Sequence, residues 1–272
     1  MKNKKKYLAA PYLIWMVGFT VIPLLMIVYY GLTSKEGGFT LENIMAIATP
    51  EHTKALGLSI GLSLASTLIC LLLAYPLAMI LKSLHVNQNR FIVLLFILPM
   101  WMNFLLRTMA WQTILENQGV LNSLLRFLHL PTINIINTPY AIIFGMVYNF
   151  LPFMILPIYN VLVKISSDVI NAAKDLGANS VQIFFQIILP LSIPGVISGI
   201  TMVFVPALTT FVISNLLGGG KILLIGNVIE QEFSFSMDWN LGSGLSLVLM
   251  VFILVSMALL AKYDKNGEGT TF

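Results

Sequence analysis

The chain has 272 residues, of which 58% are hydrophobic and 10% charged, with a net charge of +4 and a mean hydropathy of +0.90. A soluble domain carries about a quarter charged residues, so these proportions exclude a soluble globular enzyme and a disordered chain. No basic stripe with interleaved aromatics is present, so nucleic acid is not expected as a partner, and the single Cys70 can form neither an intrachain disulfide nor a metal site.

A helix crosses the hydrocarbon core of a bilayer in about 20 apolar residues. Residues 8–30 are uncharged and form the first expected span. The preceding Lys2, Lys4, Lys5 and Lys6 resemble the start of a signal peptide. The apolar run is too long for one, however, and no small-residue cleavage site follows it. Residues 55–81 form the second span, and residues 91–115 the third, with Arg107 near enough to one end to reach outward. Residues 140–163 form the fourth. From Leu176 to Gly220 no charge occurs, and Pro190 and Pro194 are expected to divide this stretch, placing the fifth span at 195–217. Residues 241–261 form the sixth. Backbone groups in lipid must be paired within the chain, so the spans are expected to be helices. The expectation is an all-α membrane protein, residues 1–272 forming one domain of six spans. Gly57, Gly61 and Ala65 recur every four residues, as do Gly195 and Gly199. That spacing lets helices approach closely, within the chain or against another membrane subunit.

Lysine and arginine favour cytoplasmic segments. With the N-terminus inside, Lys2, Lys4, Lys5, Lys6, Lys82, Arg90, Lys164, Lys174, Lys262 and Lys265 fall on the inner side. Only Lys35, Lys54, Arg126 and Lys221 fall outside, so both termini are expected in the cytoplasm.

The spans hold no acid–base pair, and His52, His85 and His129 are isolated, so neither catalysis, a metal nor a cofactor is expected. The string Gly218-Gly219-Gly220-Lys221 fails the phosphate-loop template, having Asn215 and Ile222 where glycine and Ser or Thr are needed. Arg107 is the one ionisable residue within the spans, which disfavours ion-coupled transport, although backbone carbonyls alone can hold sodium. Polar and aromatic residues in spans are candidates for a substrate pathway: Trp101, Asn103, Tyr148, Asn149, Thr209, Ser214 and Asn215. Each could instead serve helix–helix hydrogen bonding. Glu230, Glu232 and Asp238 cluster before the sixth span, where they could guide a cation, dock an external protein or be solvated loop charge.

The segment 164–190 is the longest expected cytoplasmic connection. Ser167 or Asp168 can cap a helix over residues 169–176, Gly177 can end it, and Ser180 can cap a second helix that Pro190 interrupts. Ala172 and Ala173 keep the first helix slim enough to enter a groove on another protein.

Within it, Asn171-Ala172-Ala173, three residues, Gly177, nine residues and Ile187-Ile188-Leu189-Pro190 resemble the EAA loop of ABC importer permeases. The resemblance implies the type I permease fold and a loop that couples to a cytoplasmic ATPase through Asn171, Ala172, Ala173, Asp175, Gly177, Leu189 and Pro190. Asn171 departs from the pattern, standing where the family has glutamate. Asn103-Phe-Leu-Leu-Arg-Thr-Met-Ala-Trp111, Gly119-Val-Leu-Asn122, Ala172 to Ala178, Leu223 to Ile229 and Asp238-Trp239 are similar to the PotB-type spermidine/putrescine permeases. That narrower resemblance implies a polyamine pathway and three kinds of partner: a second permease subunit, two copies of an ATPase that hydrolyses ATP and an extracytoplasmic polyamine-binding protein. The apolar spans themselves make membrane lipid a further partner. Permeases for ferric ion or oxyanions share the general pattern. An ion-coupled secondary transporter or an inert membrane anchor are the readings from other classes.

Overall fold

The structure, a computed structural model, describes residues 10–83, 98 and 100–263. Among these, five helices are long and apolar enough to cross a membrane: Pro11–Gly31, Pro50–Ser83, Pro139–Lys164, Ser180–Thr209 and Trp239–Lys262. Of the expected third span, the helix Phe104–Leu115 is described. Residues 91–97, with Lys2, Lys4, Lys5, Lys6, His85, Arg90 and Lys265, lie outside the described residues. No strand occurs among the described residues beyond one isolated bridge, Thr33 to Phe39.

The chain divides into two units, one built from the described residues of Met1–Ala55 and Val228–Val255, the other from those of Leu56–Asn227 and Ser256–Phe272. In the larger unit the helix Pro139–Lys164 packs along Leu189–Thr209, and its buried face includes Met146, Met154, Ile155, Ile158 and Leu162. The glycine spacing explains the approach. A β-carbon on Gly195 would stand 2.8 Å from Pro157 O, and one on Gly199 would stand 2.6 Å from Met154 Sδ. Gly57 and Gly61 have no atom within 4 Å of such a carbon, so that second glycine pair serves no contact here. Cys70 is fully buried in the same core, where it acts as a small packing residue.

The prolines do not divide the 176–220 stretch as expected. Helix runs unbroken from Ser180 to Thr209 through Pro190 and Pro194. A π turn at Phe184–Ile188 precedes Pro190 and widens the hydrogen-bond pattern there, absorbing the N–H that proline lacks. The break comes later, at Thr210, whose backbone is extended, and Val212–Leu217 is a separate short helix.

In the smaller unit, two asparagine amides cap the end of the first long helix. Asn43 Nδ2 donates to Thr33 O (2.9 Å), and Asn240 Nδ2 donates to Thr33 O (2.7 Å) and Tyr30 O (3.1 Å). These bonds satisfy carbonyls that a helix C-terminus leaves unpaired.

Candidate functional site

The segment after Lys164 forms two helices around a tight turn. Ser166, one residue ahead of the expected cap, accepts from Asp168 N (3.1 Å) and starts the helix Ser167–Asp175. Gly177 has φ +85°, a region that costs a β-carbon dearly. Its N–H donates to Lys174 O (2.9 Å), and Ala178 N–H donates to Ala173 O (3.0 Å). This paired closure is the glycine-dependent stop expected at that position. The next helix is capped by Asn179 rather than Ser180. Asn179 Oδ1 accepts from Gln182 N (2.9 Å) while Gln182 Oε1 accepts from Asn179 N (2.8 Å). The reciprocal pair satisfies two N–H groups where a serine at 180 would satisfy one.

The loop presents two faces. Ala173 is buried against its own chain, whereas Asn171, Ala172, Asp175 and Gly177 are exposed, and Leu176 is 89% exposed. Leu189 packs against the core and Pro190 is exposed. The returning helix is tied to the helix Pro50–Ser83 by the buried pair Tyr75 Oη and Ser192 Oγ (2.6 Å) and by edge-on contact of Phe184 with Tyr75.

The pathway candidates fall into separate places. Trp101 is 73% exposed. Asn103 caps the Phe104 helix, accepting from Leu105 N (2.9 Å) and Leu106 N (3.2 Å). Tyr148 lies against Trp111, and the Arg107 guanidinium stands 5.6 Å over its ring. Arg107 is 7% exposed, so it does not reach outward as its place in the span suggested. The tyrosine face offers its charge an attractive partner inside the chain. Asn149 is buried beside Gly145 O (2.8 Å), with Thr108 Oγ1 at 3.5 Å. Thr209 Oγ1 donates back to Val205 O (3.1 Å).

Ser214 and Asn215 meet a residue that sequence reasoning did not select. Asn227 is fully buried. Its Oδ1 lies 2.5 Å from Ser214 Oγ and accepts from Leu224 N (3.0 Å). Its Nδ2 donates to Phe211 O (3.1 Å) and Asn215 Oδ1 (2.7 Å). One side chain thus joins the break after Thr209, the helix Val212–Leu217 and the start of the next helix. Gly226 makes room for it, because a β-carbon there would stand 2.6 Å from Thr209 O. The advance signals were a Gly-Asn pair inside an apolar run and the place of that pair in the Leu223 to Ile229 segment, neither of which points to its partners.

Of the three acids, Asp238 has a structural partner. Lys35 Nζ lies 2.6 Å from Asp238 Oδ2, and Asp238 Oδ1 accepts from Leu241 N (3.1 Å). Partial burial alone would raise its pKa. The bond to Lys35, the Leu241 and Asn240 N–H groups and the lysine charge outweigh it, so its carboxyl lies below the usual value. A depressed acid stabilises the fold above its unfolded pKa, and that contribution disappears as pH falls through the lowered value. Asp238→Asn should therefore flatten the acid side of a melting-temperature profile, by less than about 1 kcal/mol because Lys35 faces solvent. An unchanged acid limb would show that this pair is not the titrating clamp. Glu230 and Glu232 are half-exposed in the same unit. Among the described residues no group of three or more His, Cys, Asp or Glu side chains is placed to hold a metal ion.

The chain resembles proteins of one transport family. A family model described as "Binding-protein-dependent transport system inner membrane component" matches residues 74–266. The "Spermidine/putrescine transport system permease protein PotB" of Haemophilus influenzae is 38% identical over 261 residues, covering 93% of this chain and 90% of that protein. The Escherichia coli protein of the same description is 38% identical, covering 87% of this chain and 89% of its own length. A subunit in a crystal structure of a bacterial alginate ABC transporter, with an alginate pentasaccharide-bound periplasmic protein, superposes with TM-score 0.78 at 16% identity. That match covers 98% of this chain and 95% of the other.

Proposed function

The chain belongs to the binding-protein-dependent transport system inner membrane components, and we propose that it conducts spermidine and putrescine as one permease subunit of an ATP-driven importer. The observation that carries the substrate is 38% identity across 93% of the chain to a spermidine/putrescine permease. In this reading a second permease completes the pathway, two copies of a cytoplasmic ATPase hydrolyse ATP, and an extracytoplasmic binding protein delivers the polyamine. The exposed Asn171, Ala172, Asp175, Leu176 and Gly177 dock on the ATPase. Ala173 and Leu189 set the loop on its own chain, while the exposed Pro190 is available to the ATPase. ATPase closure pushes the loop, and the unbroken helix Ser180–Thr209 carries the movement to the break at Thr210. Arg107 beside Tyr148 and Asn149 opposes an ammonium there, which leaves the exposed Trp101 and Asn215 as the pathway residues best placed to meet one.

In cells lacking their own polyamine permease, the chain and its partner subunits should restore uptake of labelled spermidine. Putrescine should compete, and ferric ion or oxyanions should not. Competition by one of the latter instead would reassign the substrate.

Both termini lie in the cytoplasm in this scheme, with Lys174 inside and Lys221 outside. In a Cys70→Ser background, an impermeant thiol reagent should label Lys221→Cys in intact cells and Lys174→Cys only after permeabilisation. The opposite pattern reverses the topology.

Glu230 and Glu232 face outward in the same scheme and attract the cationic cargo. Glu230→Gln with Glu232→Gln should lower uptake more at low than at high ionic strength, because exposed charges are screened over about 10 Å at 0.1 M salt. An equal effect at both strengths removes the guidance role.

A further inference from the structure

A groove of about 440 Å³ lies beneath the helix Ser167–Asp175, against the ends of the helices Pro50–Ser83 and Pro139–Lys164. Its rim carries Lys82, Lys174, Ser167 and Asn171, and its floor includes Met79 and Leu162. We propose that this groove binds the phosphate headgroup of an anionic phospholipid.

Charge, donors and shape support that ligand. Two ammonium groups line the groove and no carboxylate does. The acids nearest in sequence, Asp168 and Asp175 on the same helix, are outside the lining, and Asp168 Oδ2 accepts from Ser166 Oγ (3.2 Å). Lys82 Nζ donates to Ile165 O at 3.4 Å, one long bond for a group with three donors. Ser167 and Asn171 add a hydroxyl and an amide, both able to donate to phosphate oxygens. Ser167, Asn171 and Lys174 are exposed and Lys82 is half-buried, so a headgroup can enter from the surface.

The apolar floor selects between two sources of the same phosphate chemistry. A free phosphate would leave the half-buried Met79, Ile170 and Ile188 of the lining partly in water, whereas a lipid covers them with its glycerol and upper acyl carbons. Basic pockets between membrane helices at the cytoplasmic surface favour anionic headgroups for these reasons. The proposal rests on the reading that this end of the helices lies at a membrane surface. Lipid bound here would brace the inner face of the loop whose outer face is proposed to meet the ATPase, with Asn171, exposed and in the groove lining, at the edge between the two.

The test uses the full chain purified in neutral detergent and exposed to mixed micelles of phosphatidylcholine and phosphatidylglycerol. Native mass spectrometry then reads which lipid stays bound. The expected result is preferential retention of phosphatidylglycerol. Lys174→Ala should reduce retention about fivefold, since a lysine near an anionic lipid is worth about that factor. Adding Lys82→Ala should reduce it further, and Lys262→Ala, on an exposed helix end elsewhere, should not. Lys174 is exposed, so its single variant keeps the test valid if the double variant folds poorly. No lipid preference, an equal loss in Lys262→Ala, or displacement by inorganic phosphate would overturn the proposal. Retention depends on no transport step, so failed polyamine uptake with intact retention would reject the transport reading and leave this site standing.

Discussion

Gly177→Arg is expected to abolish coupled uptake while the chain still reaches the membrane at near-normal levels. At φ +85° a side chain costs on the order of 1 kcal/mol. A β-carbon there has no atom within 4 Å, so the side chain leaves the backbone into open space. The long helices keep their packing, and the large loss falls on the contact that the exposed turn is proposed to make with the ATPase. Gly177→Asn separates the two effects, because asparagine tolerates the left-handed region and adds little bulk. It should retain most of its uptake. Full uptake by Gly177→Arg at normal levels would show that the turn carries no coupling contact. The inward position of Ala173 makes it unsuitable as a second probe. A charge at Ala173 would loosen the loop itself, whereas Ala172→Glu, on the exposed side, tests docking alone.

Asn227→Leu should reduce stability by about 3 kcal/mol. The substitution keeps the volume and removes four polar contacts; Leu224 N loses its acceptor, while Ser214 Oγ and Phe211 O are left only with each other and Asn215 N. Each buried group left unpaired costs about 1–3 kcal/mol, and part of that is recovered where the backbone relaxes or water enters. Ser214→Ala removes the hydroxyl that lies against both Asn227 Oδ1 and Phe211 O, and should cost about 1 kcal/mol. Thermal unfolding of the purified chain reads both changes. A melting temperature unchanged by Asn227→Leu would mean that the join between the broken helix and its neighbour does not depend on this side chain.

These two residues mark what sequence could and could not reveal. Gly177 was legible because a glycine after a capped, alanine-bearing helix has one local explanation, and its φ bears that out. The apolar helices were legible because lipid imposes both their length and their composition. The prolines misled, since proline penalises the local α pattern, and a π turn at Phe184–Ile188 answers that penalty without ending the helix. Arg107 misled for a different reason. Its position in the span was readable, but the ring of Tyr148, 41 residues later, was not. Asn227 is the same case, as its partners are assembled only when the helix breaks at Thr210 and the chain folds back. Asp238 looked like a free external acid, and only the placement of Lys35 made it an ion pair.

In the proposed scheme this chain conducts polyamines only when a separate ATPase drives it. The direct measurement is labelled-spermidine uptake into proteoliposomes holding the chain with its second permease and ATPase, with binding protein outside and ATP inside. Uptake that requires every subunit and ATP, and that stops with Gly177→Arg, is the predicted result. Uptake by the chain alone under a proton or sodium gradient, without ATPase or ATP, would contradict it.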